Sequence, residues 1–218
     1  MEIRDHRLIL GGIPATELVH EFGSPLYVYE EDAIRGQCRR LRKAIPHPSY
    51  RPRYSVKANT NPHVVAIALE EGLDLEAVSP GEVAVALFLG APPAKVHYTS
   101  NGMSAEEMGY ALKKGVSVTV DSLSNLRLHA RLAPGQPVGV RLNPGEGAGH
   151  HDHVVTGGPQ TKFGVPVEFR RELLSEAARL GVPIRGVHMH IGSNFLDPAP
   201  FLAMTEVLFE AALDFPDL

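Results

Sequence analysis

The feature that most constrains this chain is a regular alternation of short β-rich runs with helical segments that carry their own start and stop signals. Strand-like runs occupy Arg53 to Lys57, Leu73 to Val78, Lys95 to Thr99, Ser117 to Asp121, Val138 to Leu142 and Ile184 to Ile191, each rich in Val, Ile, Leu or Tyr. Between them, Asn61-Pro62 offers an N-cap followed by proline at the first helical position, and Gly72 a stop. Ser79 with Glu82, and Ser104 with Glu107, have capping-box spacing, and Gly90 and Gly115 end those helices. Such alternation predicts a parallel sheet with right-handed crossovers. No G-x-G-x-x-G follows the first strand, which argues against a dinucleotide-binding sheet and leaves a (β/α) barrel as the expected fold. Residues 1–50 are expected to precede the barrel with one strand, Pro25 to Tyr29, and a helix; residues 51–218 form the barrel portion.

Composition narrows the function classes. With 218 residues and 44% hydrophobic content the chain can bury a sizeable core. Basic and acidic residues are interleaved to a formal net charge of -4, so there is no basic stripe for nucleic acid and no polybasic patch for a membrane. A small-molecule substrate is the expectation. The single cysteine, Cys38, excludes an internal disulfide, and the start MEIRDHRLIL lacks the long apolar run of a signal peptide or membrane span, which predicts a cytoplasmic protein.

Chemistry concentrates at strand ends. In Tyr54-Ser55-Val56-Lys57-Ala58-Asn59 a lysine sits at the end of an apolar strand. If that site is desolvated, the neutral amine is favoured and can condense with an aldehyde; the segment equally allows an ordinary strand-end lysine reaching solvent. The connection from Asn143 to Gly164, NPGEGAGHHDHVVTGGPQTKFG, is far longer than a usual strand-to-helix link and follows the end of a strand that faces the catalytic side of a barrel. Its His150, His151, Asp152 and His153 are chemically able to bind zinc, but their spacing fits no usual zinc pattern, and no metal is expected.

YSVKAN, EAVSPGE, RLNPG, TGGPQTKFG and HMHIGS, in that order, resemble the pyridoxal-phosphate amino-acid decarboxylases of the alanine-racemase-like barrel type, the ornithine, diaminopimelate and arginine decarboxylase family. The resemblance covers most of the chain, and GAGHHDHVVTGG is more similar to the diaminopimelate members. It implies pyridoxal 5'-phosphate as cofactor and decarboxylation of meso-2,6-diaminopimelate to L-lysine. The alternatives are another basic amino-acid decarboxylase of the family, or a non-catalytic pyridoxal-phosphate carrier or regulatory protein.

The resemblance further implies that Lys57 holds the cofactor covalently and takes part in proton transfer, and that His190 stacks on the pyridine ring. Glu76 and Arg141 would lie beside the cofactor, and Gly192 and Ser193 would take its phosphate, the serine from a helix start. His188, on the same strand face as His190, is the alternative histidine. Glu82 also matches a family glutamate but has a capping role, and Lys162 either approaches the cofactor or caps the following helix. Family members are about twice as long, with an eight-stranded barrel, a C-terminal β domain and an active site completed across a homodimer interface. Only about six βα units are found here, so the expectation is a truncated (β/α)8 barrel lacking the β domain. Cys38 does not have the context of the family's active-site cysteine.

Overall fold

The computed structural model describes residues 1–145, 162–193 and 196–218. It divides into two compact units, Met1–Leu75 and Glu76–Leu218.

The first unit opens with an antiparallel sheet of three short strands, β1 (Glu2–Arg4), β2 (Arg7–Leu10) and β3 (Ile13–Pro14). Both hairpin turns have two residues in left-handed backbone, Asp5 and His6 in one and Gly11 and Gly12 in the other, the conformation that matches strand twist in tight hairpins. Two helices follow, α1 (Ala15–Phe22) and α2 (Glu31–Arg42). The expected strand at Pro25 to Tyr29 is not one: the segment joins no ladder. Residues 1–50 therefore carry three strands and two helices instead of one of each. Alternation of apolar residues alone does not make a strand without a partner, and Pro25 has no N–H to offer one.

β4 (Arg53–Ser55) runs into a 3-10 turn at Val56–Ala58 and then α3 (Pro62–Glu70). The expected strand to Lys57 thus ends two residues early. The Asp74 N–H donates to the Pro52 carbonyl at 3.0 Å, setting the start of β5 (Asp74–Ala77) beside the entry to β4. Cys38, Ala68 and Leu73 are buried together, with Ile34 and Tyr54 against them. Around this core Arg35 and Arg39 on α2 grip Glu71 at the end of α3, Arg39 Nη2 lying 2.7 Å from Oε1.

In the second unit strands and helices alternate: α4 (Pro80–Phe88), β6 (Val96–Thr99), α5 (Ala105–Lys113), β7 (Ser117–Val120), α6 (Leu123–Leu132) and β8 (Val138–Asn143). After β8 come β9 (Val165–Pro166), α7 (Arg170–Leu180), β10 (Ile184–His188) and α8 (Ala199–Ala212). β5, β6, β7, β8 and β10 neighbour one another in chain order, and the pairs β6–β7, β7–β8 and β8–β10 are parallel. Among the described residues strand order never reverses, so they contain no switch point of the doubly wound kind; each crossover steps the same way, as in a (β/α) barrel. Counting β4, the six expected strands are all present, while β9, which returns to pair with Leu142 and Asn143 of β8, was not expected.

The caps behave as their chemistry dictates. Asn61, Ser79 and Ser104 accept from backbone N–H groups two or three residues on, and Ser104 with Glu107 closes a full capping box. At Ser79 the reciprocal bond is displaced by one residue, because Glu82 Oε2 accepts from the Val78 N–H at 2.9 Å.

Register divides the sheet into two chemically different faces. Tyr98, Val118, Val120 and Val140 alternate outward under the helices and are at most 3% exposed; burying each such side chain contributes about 1.5–3 kcal/mol. The other face carries Thr99, Thr119, Gly139 and Gly186 in one row and Arg141 with His188 two residues further on. Among the described residues no helix is long and apolar enough to cross a membrane.

Candidate active site

Lys57 belongs to the first unit. It is exposed, so of the two readings left open for a strand-end lysine the solvent-reaching one holds: the strand gives way to a 3-10 turn at Val56, which is itself fully buried. The turn is fixed on both sides. The Tyr54 hydroxyl donates to the Asn59 carbonyl at 3.0 Å, Asn59 Oδ1 accepts from the Asn61 N–H at 2.9 Å, and Asn61 Oδ1 accepts from the His63 N–H at 3.0 Å. A chain of local hydrogen bonds therefore presents one flexible amine from a rigid backbone.

The remaining expected site residues lie in the second unit. Glu76, half-buried on β5, has Oε1 3.8 Å from Nε2 of His188 at the end of β10. His188 is in register with Arg141 on β8. The Arg141 guanidinium, buried, donates from Nη1 to Asn101 Oδ1 at 2.9 Å and lies 5.1 Å over the Phe163 ring. Burial weakens its hold on its proton, opposed by the negative charges of Asp121 and Glu76. The structure thus gathers Glu76, Arg141 and His188 on one face, with Asn101, Asp121 and Phe163, which the sequence reading missed.

β10 ends at His188, so His190, half-buried, sits beyond the strand and not on it. Gly192 follows at φ 136°, a backbone open only to glycine. Ser193 is exposed and is not at a helix start: α8 begins at Ala199, capped by Pro198. Any role for its hydroxyl is that of a loop residue.

Glu82 is committed to capping α4. Lys162 is exposed, with Nζ 5.5 Å from the centre of the Phe163 ring; it does not cap α7, whose N-cap is Phe169. Cys38 is buried in α2, where desolvation and the Glu71 charge push its thiol upward, a structural setting. His150, His151, Asp152 and His153 lie outside the described residues.

Residues 31–213 match the family described as "Pyridoxal-dependent decarboxylase, pyridoxal binding domain". The diaminopimelate decarboxylase of Methanothermobacter thermautotrophicus is 43% identical over 97% of this chain and 50% of its own length. That of Aquifex aeolicus is 32% identical over 94% and 50%. Among solved structures, diaminopimelate decarboxylase from Helicobacter pylori complexed with L-lysine superposes with a TM-score of 0.86 at 27% identity, covering 92% of this chain and 52% of that one. Diaminopimelate decarboxylase from M. jannaschii with L-lysine gives 0.82 at 29% identity, covering 98% and 52%. The fold is the alanine-racemase-like (β/α) type, and the chain spans about half the length of the curated relatives it matches.

Proposed function

Because the chain belongs to the pyridoxal-dependent decarboxylases, through their pyridoxal-binding domain, we propose that it serves, in a protein of its relatives' length, the decarboxylation of meso-2,6-diaminopimelate to L-lysine. The observation that carries this reading is the 43% identity to a diaminopimelate decarboxylase across nearly the whole chain. The proposal places the enzyme in the cytoplasm as a homodimer, with residues 51–218 as the cofactor-binding part and residues 1–50 preceding it.

The family's cofactor is pyridoxal 5'-phosphate, and each unit carries groups of the chemistry it needs. A primary amine stands exposed on a fixed turn, a buried guanidinium has N–H groups to give to an anionic oxygen, and Gly192 leaves its backbone open to close approach. When bound, pyridoxal phosphate supplies the electron sink for the pair left behind as carbon dioxide departs. Lys57 Nζ would hold the cofactor's aldehyde carbon and, once displaced by the substrate amine, hold and return a proton there. His190 would lie against the ring, Arg141 and Glu76 would flank it, and Gly192 with Ser193 would bind the phosphate through the loop before α8.

Titration of the chain with pyridoxal phosphate, borohydride reduction and peptide mapping test the cofactor role; label on Lys57 is expected, and undiminished label in Lys57→Ala overturns it. Assays of the longer protein with diaminopimelate, ornithine and arginine test the substrate. Lysine formation from diaminopimelate is expected; preference for either other amino acid assigns the site to another family member, and turnover of none assigns it to a carrier.

A further inference from the structure

Among the described residues, Arg141 is a buried cation with no carboxylate in ion-pair contact. The residue is 6% exposed, yet among the described residues its guanidinium makes one hydrogen bond, to the neutral Asn101 side chain, and one contact with a neutral ring, Phe163. The negative charges of Asp121 and Glu76 act on it from a distance, but neither carboxylate forms an ion pair with it. Asp121 Oδ2 accepts from the Gly102 N–H at 3.1 Å and Oδ1 from Asn125 Nδ2 at 3.2 Å, while Glu76 faces His188. A cation so far withdrawn from water without a paired anion is costly to keep, unless a ligand supplies the anion.

The Asn101 acceptor comes from the loop after β6, not from the sheet, and Asn101 itself is exposed. Its position is set by its neighbour, since the Gly102 N–H is held by Asp121, which follows the end of β7. Phe163 covers the guanidinium, an arrangement that attracts the cation without neutralising it. An aspartate at position 101 would have nearly the same shape and accept the same hydrogen bond, but it would cancel the charge.

We infer that Asn101 is a positioning residue whose neutral amide aims the Arg141 guanidinium and leaves its charge available for an anionic oxygen group of the ligand. Identifying that group as the cofactor's phosphate or a substrate carboxylate rests on the function proposed above. Inorganic phosphate and succinate, as probes, separate the two sources.

The test is the thermal midpoint of the chain with and without each anion, in wild type, Asn101→Asp, Asn101→Ala and Arg141→Gln. At least one anion is expected to raise the wild-type midpoint. Asn101→Asp should keep or raise the anion-free midpoint while needing about tenfold more anion or more for the same rise; a purely structural asparagine would give neither change. Asn101→Ala should weaken the response with little loss of fold, and Arg141→Gln should abolish it. A response to phosphate alone assigns the cofactor side, and to succinate alone the substrate side. An Asn101→Asp response equal to wild type, or no wild-type response to either anion, overturns the inference. Lys57 labelling by pyridoxal phosphate is read separately. A lost Asn101→Asp response with Lys57 unlabelled removes only the decarboxylase reading, and labelled Lys57 with a wild-type-like Asn101→Asp response removes only this inference.

Discussion

Tyr54 and Asn59 are joined across the turn that carries Lys57, hydroxyl to carbonyl at 3.0 Å. The bond spans five residues and leaves the amine outside it, so the backbone under Lys57 is held by a group that takes no part in its chemistry. Tyr54→Phe should therefore cost about 1 kcal/mol and lower the thermal midpoint by about 2–4 °C. Borohydride-trapped pyridoxal phosphate on Lys57 should fall with it. An unchanged yield of labelled peptide would show that the neighbouring Asn59–Asn61 bonds hold the turn alone.

Gly139 has no room for a side chain. A Cβ there would stand 2.5 Å from Thr119 Oγ1, an atom already 2.6 Å from His97 Nε2. Gly139→Ala should destabilise the second unit by about 1–3 kcal/mol, measured by denaturant unfolding. Adding Thr119→Ala should recover part of that loss, a coupling that two independent sites would not show.

His129 is fully buried on α6, and neither ring nitrogen has a hydrogen-bond partner among the described residues. Burial pushes its pKa below the ordinary 6.5. The unfolded chain thus takes up a proton near pH 6.5 that the folded chain refuses. Stability is level above that pH and declines as pH falls below it, by at most about 1.4 kcal/mol per pH unit, until the folded histidine also protonates. His129→Leu should remove this part of the acid slope in unfolding measured between pH 5 and 7.5.

Gly164 closes the return to β8. Its φ is 78°, and a Cβ would lie 3.1 Å from backbone atoms of Arg141, Leu142 and Asn143, none of which can swing aside. Gly164→Ala should cost about 1–3 kcal/mol and speed hydrogen exchange at Val165, which pairs with Leu142. Unchanged exchange would mean that the β8–β9 bridge does not depend on this approach.

The barrel strands and their helices could be read directly because their signals are local. Caps such as Ser104 with Glu107 act within one turn, and the apolar runs of β6, β7 and β8 state their own period. The N-terminal hairpins were harder. Asp5 and His6 adopt left-handed backbone without a glycine to announce it, although Gly11-Gly12 was an available signal. The motif around Lys57 leaves its exposure open, because the end of a strand is decided by where its ladder stops, here at Ser55. The Arg141–Asn101 bond joins residues 40 apart. Nothing near Asn101 in the sequence distinguishes it from any polar loop residue; only its place just after an expected strand could have marked it.

The division of each strand into an apolar and a polar side sets what this molecule can change cheaply. Residues such as Val118, Val120 and Val140 answer to the helices above them, whereas Thr119, Arg141 and His188 answer to whatever lies on the opposite side. Neighbours in the chain are thus under unrelated demands. A lineage could exchange its ligand preferences at alternate positions while inheriting the scaffold intact.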